Sequence, residues 1–185
     1  SKGTGKTTAA LDSILAQQGT GTHCIYVNTT GGPAADAAVS VLAESGALDY
    51  TTVVRASAVD GDPLALQLMA PVSGIALGTY YRDHDQHALV VIDEISTHAD
   101  YLSRLPAAMD AMPLASILEH CTQLVPSLGG GSLSAMVLLD SPSRRVEAEG
   151  VLDEDPIAQA LISATDSVID FSSHRAAQKL YPAID

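Results

Sequence analysis

The sequence is poor in aromatic and in basic residues. Its 185 residues include no Trp, one Phe and six Tyr, so any core must be built from aliphatic side chains. Lys and Arg number nine against 22 Asp and Glu, which gives a formal net charge of −13. Binding to nucleic acid or to an anionic membrane depends on clustered Lys and Arg, so this balance argues against both partners. Two of the three lysines, Lys2 and Lys6, lie within the first six residues, and this is the first indication of a phosphate site.

Cysteines and long apolar runs are also scarce. Cys24 and Cys121 are not in a CxxC arrangement, and a single pair predicts two buried thiols rather than a disulfide framework. No window of 18 apolar residues occurs, so a membrane span is not predicted, and no signal peptide is visible. The hydrophobic content of 46% suffices for a core, and the length fits one domain.

Strand-like and helix-like segments alternate along the chain. Short β-branched runs predict strands at 23–27, 51–56, 87–92, 132–139 and 167–171. Helical spacing predicts helices at 8–18, 33–45, 63–81, 117–124 and 156–164, with a less regular helical stretch at 100–112. Asp62 is expected to cap the long third helix and Pro71 to kink or break it. This order predicts an α/β fold, a mostly parallel sheet with helices on both faces.

The first residues carry a phosphate-binding pattern. GTGKTT stands in front of the first predicted helix and resembles the end of a P-loop, GxxxxGK[ST], whose first Gly would lie immediately before Ser1. In such a loop backbone N–H groups surround phosphate oxygens, the lysine reaches the terminal phosphates and the following hydroxyl ligates Mg²⁺. The alternative is a Gly-rich start of a helix without a ligand. The candidate nucleotide-binding residues are Gly3, Thr4, Gly5, Lys6, Thr7 and Thr8.

An acid follows the most apolar predicted strand. Asp93 stands at the carboxyl end of that strand, where ligands sit in open α/β sheets, and with Thr7 it is the candidate Mg²⁺ residue. Glu94 could polarise water in a hydrolytic enzyme. The alternative is that both acids belong to the first turn of a following helix. His84, His87 and His98 lack metal-ligand spacing and are interpreted as solvated loop residues.

The order of these segments resembles the nucleotide-binding domain of the F-type ATP synthase alpha subunit. Residues 4–96 resemble that family closely and residues 115–185 weakly. The run at 46–83 is long and particular to the alpha type. The similar stretches are TGKTTAALDSILAQQ at 4–18, CIYV at 24–27, GALDYTTVVRASAVDGDPLALQLMAPVSGIALGTYYRD at 46–83, HALVVIDEIS at 87–96, GGGSLSAM at 129–136 and YPAID at 181–185.

The resemblance implies a RecA-like P-loop domain that binds ATP or ADP with Mg²⁺ without turning it over. Gly5, Lys6 and Thr7 would contact phosphate and Mg²⁺, and Asp93 would contact Mg²⁺. It implies one nucleotide-binding domain over 1–185, with a P-loop half at 1–96 and a divergent half at 97–185, and without the family's flanking barrel and C-terminal helical domains. The partners implied are beta-type subunits in the hetero-oligomeric ring of a proton-translocating synthase, peripheral to the mitochondrial inner membrane, or to a chloroplast or bacterial inner membrane.

The sequence also departs from the family pattern, as a divergent or truncated copy would. The family has a polar residue near the nucleotide at a place that falls here in Thr-Gly-Gly-Pro at 30–33, after the strand predicted at 23–27, so a catalytic water would lack its base. The family's aromatic and Arg near the adenine are replaced by Ala176 and Tyr181. Two other readings stay open: a degenerate alpha-like protein that serves as an interaction subunit of another large complex, and an active P-loop ATPase that uses Glu94.

Overall fold

The computed structural model describes residues 3–95, 114–140 and 156–184. Four parallel strands form one sheet in the order β2-β1-β3-β4. The strands are β1 (His23–Asn28), β2 (Thr51–Arg55), β3 (His87–Asp93) and β4 (Ser132–Val137). The helices are α1 (Lys6–Leu15), α2 (Gly32–Glu44), α3 (Leu64–Asp83), α4 (Leu114–Leu118), α5 (Pro156–Ser163) and α6 (Ser173–Ala177). The predicted α/β fold with a parallel sheet is confirmed.

Helices cover both faces of the sheet, as the apolar strands require. Successive side chains of a strand point to opposite faces. In β1, Ile25 and Val27 pack in a cluster with residues of α3, whereas Cys24 and Tyr26 pack in a second cluster with α1 and α2. All four are buried, so β1 is apolar along its length, which is typical of a parallel strand covered on both sides.

The long helix α3 begins at a different residue from the prediction, and it is not broken at Pro71, where a kink or a break was predicted. It starts at Leu64 with Pro63 as its N-cap residue, and Asp62 does not cap it. Instead, Asp62 accepts a hydrogen bond at 2.9 Å from the backbone N–H of Ser57, which holds the loop in front of the helix. The helix passes through Pro71 without a break. The Pro71 ring is fully buried, and its packing offsets the missing hydrogen bond.

Two predicted elements in the second half of the chain were wrong. The helix predicted at 117–124 ends at Leu118, because the following backbone pairs with the start of β4, where Leu133 N–H donates to Thr122 O at 3.0 Å. The strand predicted at 167–171 is reduced to one antiparallel bridge between Phe171 and Ile184. The short helix α6 was not predicted, and the predicted helical stretch at 100–112 lies outside the described residues.

No helix within the described part of the chain is long and apolar enough to cross a membrane.

The Asp60 carboxylate joins the loop after β2 to the start of α2, and it makes folding stability depend on pH. Asp60 accepts hydrogen bonds from Ser57 Oγ, the Gly32 backbone N–H and the Arg55 guanidinium, and the first of these contributes most to lowering the pKa of its carboxyl. A lowered folded-state pKa stabilises the fold above the unfolded-state pKa near 3.9, and that contribution is lost as pH falls through the folded-state value.

We therefore expect Asp60→Asn to lower the free energy of unfolding at pH 7, and we expect its difference from wild type to shrink as pH falls below about 4, toward the folded-state pKa. Urea unfolding at a series of pH values measures the effect. Asp12→Asn, at an exposed position on α1 away from the contacts of Asp60, is the control that should follow the wild-type profile. A constant difference between Asp60→Asn and wild type at all pH values would contradict the expectation.

Candidate functional site

The candidate site begins with the glycine segment in front of α1. Gly3 and Gly5 have φ values of 81° and 94°, in the left-handed region that favours glycine, and Gly5 directly precedes the helix. The first turn of α1 contains no acidic side chain, and its N–H groups give that end of the helix a positive potential. Gly3 is exposed and Thr4 is buried, so this segment is a folded loop with one face open to solvent, and Thr8 is exposed on α1.

Lys6 reaches across the carboxyl edge of the sheet to the end of β4. Its Nζ donates to the Leu139 carbonyl at 2.9 Å and to Asp140 Oδ1 at 3.0 Å. The two charged side chains are largely shielded, with exposed fractions of 18% for Lys6 and 25% for Asp140. Sequence reasoning did not find Asp140, because it stands directly after the strand predicted at 132–139 and no local pattern marks it among the polar residues that follow.

Thr7 and Asp93 meet at the centre of the same edge. Thr7 Oγ1 lies 3.4 Å from Asp93 Oδ1, and Asp93 is only 7% exposed at the end of β3. The predicted metal residues therefore come together although 86 residues separate them. A hydroxyl and a carboxylate are the oxygen ligands that Mg²⁺ prefers, so this donor set fits that ion.

The second carboxylate oxygen of Asp93 is held by a tyrosine. The Tyr26 hydroxyl donates to Asp93 Oδ2 at 2.7 Å from a fully buried position in β1. Burial raises the pKa of Tyr26, and the nearby Asp93 raises it further, so the hydroxyl keeps its proton and acts as the donor. This bond leaves Oδ1 directed toward Thr7. Sequence reasoning missed Tyr26, although a tyrosine in an otherwise apolar buried strand signals that its hydroxyl has a partner.

The neighbouring acid Glu94 has a structural contact. Its Oε1 accepts a hydrogen bond at 3.2 Å from the backbone N–H of Asp140. This bond joins the end of β3 to the residue that pairs with Lys6.

The loop after β1 brings no acid or amide side chain to the site from residues 30–33. Its sequence there is Thr-Gly-Gly-Pro. A Cβ on Gly31 would lie 1.8 Å from Ser57 Oγ and 2.5 Å from Asp60 Oδ2, so a side chain does not fit at that position without moving its neighbours. Gly31 N–H donates to Asn28 Oδ1 at 2.9 Å, which fixes the turn.

Tyr181 lies against the glycine segment. Its hydroxyl donates to the Gly3 carbonyl at 3.2 Å, and a Cβ on Gly5 would lie 4.0 Å from its ring. The side chain is 60% exposed, so an aromatic surface is open beside the start of α1. Ala176, which is predicted to stand at the position of the family's aromatic residue, lies on α6.

The histidines make separate contacts. His84 Nδ1 lies 2.7 Å from the Tyr80 carbonyl, and His87 Nδ1 lies 2.8 Å from Ser132 Oγ. His98 lies outside the described residues. Across the ranges that the structure describes, no group of three or more His, Cys, Asp or Glu side chains could hold a metal ion.

Comparison with known proteins covers the whole chain. Residues 1–185 match the sequence profile of the ATP synthase alpha/beta family, nucleotide-binding domain. Among curated proteins, the chain is 36% identical to ATP synthase subunit alpha of Aquifex aeolicus over 197 aligned positions, and 36% identical to that of Helicobacter pylori over 198 positions. Both alignments cover 100% of this chain and 37% of the relative, so the chain spans little more than a third of the length of these proteins. The chain therefore belongs to the ATP synthase alpha/beta family and corresponds to its nucleotide-binding domain.

Proposed function

We propose that this chain binds ATP or ADP with Mg²⁺ as a non-catalytic, alpha-type component of a proton-translocating ATP synthase. The observation that carries the proposal is the meeting of Lys6, Thr7 and Asp93 at the carboxyl edge of a parallel sheet, beside the amino terminus of α1. Ligands of open α/β sheets bind at this edge.

The proposed roles follow from the chemistry of each group. The phosphates would lie against the glycine segment and the first turn of α1, with Lys6 as the positive charge. Thr7 Oγ1 and Asp93 Oδ1 would face the Mg²⁺, which supplies further positive charge to the phosphates when bound. The exposed ring of Tyr181 offers a stacking surface for the base next to Gly5.

Two observations support binding without turnover. Hydrolysis needs a general base that orients the attacking water. Residues 30–33 supply no such side chain, and the Glu94 carboxylate is engaged by the Asp140 backbone. These contacts count against the reading of the chain as an active ATPase that uses Glu94.

Assembly with beta-type subunits is the further part of the proposal. The relatives reported above are named as ATP synthase alpha subunits, and they come from bacteria. We therefore propose a place in a synthase ring at a bacterial inner membrane, in preference to the mitochondrial location that the resemblance implied. Native mass spectrometry of the complex isolated from its source should show beta-type partners, and a complex without them would contradict this part.

A second candidate function is supported by the Lys6–Asp140 contact. If that ion pair has replaced phosphate permanently, the domain serves only as an interaction subunit of a large complex. Nucleotide binding distinguishes the two functions.

The proposal is tested by titrating the chain with ATP in a calorimeter, once with Mg²⁺ and once with EDTA. We expect saturable binding with Mg²⁺, binding at least about tenfold weaker with EDTA, and no steady-state hydrolysis. The reason is that Asp93 and Asp140 repel the phosphates unless a divalent cation lies between them. Absence of binding at millimolar Mg-ATP would instead favour the interaction subunit.

A further inference from the structure

Lys6 is already paired in the structure, and its partner is an acid. A lysine ammonium has three donors, and two of those of Lys6 are used by the Leu139 carbonyl and the Asp140 carboxylate. The same ammonium is the group that the phosphates of a nucleotide would need. A nucleotide and Asp140 therefore compete for one cation.

The fold places Asp140 at this position from two sides. At the end of β4, Leu138 N–H donates to the Ile92 carbonyl at 2.9 Å, and Ile95 N–H donates to the Leu138 carbonyl at 3.0 Å. Glu94 Oε1 then accepts from the Asp140 backbone N–H. These bonds continue the β3–β4 pairing past the strands, so Asp140 is held in place by the backbone of β3 and β4.

The charge on Asp140 persists at neutral pH. Burial raises the pKa of its carboxyl, but hydrogen bonds and positive charges around it, those of Lys6 among them, lower it by more, and its pKa lies below the usual value. Each of the two side chains is at least three-quarters shielded from solvent, which strengthens their attraction relative to that of an exposed pair.

We propose that Asp140 is an internal counter-ion of Lys6, which bound phosphate must displace, and that it sets the nucleotide affinity of the site. The inference rests on the proposed nucleotide binding. The described side chains at this edge include the Lys6 ammonium and the carboxyl groups of Asp93, Glu94 and Asp140. A polyphosphate without a metal is repelled by the carboxylates. Asp140 thus makes the site select nucleotides that arrive with Mg²⁺.

The test is the affinity of Asp140→Asn for ADP, measured by calorimetry with Mg²⁺ and with EDTA. Asparagine keeps the shape and removes the charge. We expect Mg-ADP to bind about tenfold more tightly than to wild type, equivalent to about 1.4 kcal/mol, and metal-free ADP to gain by a larger factor. Inorganic tripolyphosphate, which has no base, should gain by the same factors.

Two control variants separate the pairing with Lys6 from general charge. Asp83→Asn removes the same charge from an ion pair with Arg82 at 2.8 Å. This pair lies at the carboxyl end of α3, just before β3 begins, and is therefore on the side of the sheet opposite the candidate site. The variant should bind like wild type. Glu94→Gln keeps an acceptor for the Asp140 backbone and removes a charge that does not contact Lys6, so it should raise the affinity by a smaller factor than Asp140→Asn.

The possible results divide cleanly. Tighter binding by Asp140→Asn than by wild type, Asp83→Asn and Glu94→Gln supports the role of Asp140 as counter-ion. Binding by Asp140→Asn where wild type shows none supports it as well. Wild-type binding with no gain in Asp140→Asn overturns the counter-ion and leaves the proposed function standing. Absence of binding in both proteins overturns both. Thermal unfolding verifies that the variant is folded, and Asp140→Ser replaces it if it is not.

Discussion

Replacing Lys6 with Ala is expected to lower the affinity for Mg-ATP at least about 100-fold. Hydrogen bonds to charged groups are worth about 1.5–3 kcal/mol each, and a lysine that reaches the terminal phosphates makes more than one. Two such bonds correspond to about 3–6 kcal/mol, and every 1.4 kcal/mol is a factor of ten in affinity. Calorimetric titration of the variant beside wild type measures the loss.

The control for this prediction is Lys179→Ala. Lys179 is an exposed lysine beyond α6, and its removal changes the net charge by the same amount. It should retain the wild-type affinity within about twofold, the range expected of a screened surface charge. An affinity of Lys6→Ala within a few fold of wild type would contradict the role of Lys6 and with it the proposed phosphate site.

Combining the two site variants gives a sharper result. If Asp140 acts through Lys6, then Asp140→Asn should raise affinity in the wild-type background and have little effect in the Lys6→Ala background. A double-mutant cycle expresses this difference as an interaction between the two residues. Equal gains in both backgrounds would mean that Asp140 acts on the phosphates directly.

The sheet could be predicted well from the sequence because its signals are local. The strand predicted at 23–27 is β1 with one more residue, and those predicted at 51–56 and 87–92 differ from β2 and β3 by one residue each. Each is a short β-branched run bounded by polar or turn residues, and a strand buried on both faces requires that composition. Parallel topology then explains why Asp93 lies at the carboxyl edge of the sheet, where the first turn of α1 brings Thr7 to within 3.4 Å of it.

The contacts that control the site could not be predicted in the same way. The hydrogen bond between Lys6 and Asp140 joins positions 134 residues apart, and no local pattern marks Asp140 among other polar residues. The bond from Tyr26 to Asp93 depends on the register that places β1 beside β3. Similarly, the segment after Leu118 is not helical because its backbone pairs with β4, so a tertiary contact and not a local sequence pattern decides its structure.

Replacing Gly78 with Val is expected to destabilise the domain by about 3 kcal/mol. Gly78 lies on the buried face of α3, where a Cβ would stand 2.5 Å from Leu133 Cδ1 and 2.9 Å from Val90 Cγ2. Real Cβ atoms do not approach so closely, and both neighbours are buried in the core, at 3% and 0% exposure. Overpacking of a filled core costs about 1–3 kcal/mol, and valine adds two methyl groups beyond the Cβ. For a domain of this size the melting temperature should fall by roughly 6–12 °C.

The control is Ala76→Val, at an exposed position on the same helix, where the β-branched side chain costs only about 0.5 kcal/mol of helix propensity. Gly78→Ala tests the cause. Alanine favours a helix by about 1 kcal/mol over glycine, and Gly78 does not have a positive φ, so backbone conformation alone would make this variant more stable. If space is what requires glycine, Gly78→Ala gains less than this amount or loses stability, and Gly78→Val loses far more. If thermal unfolding showed that Gly78→Ala and Gly78→Val both stabilise the domain, α3 would be able to move away from β3 and β4. That result would contradict the prediction that the core requires glycine at position 78.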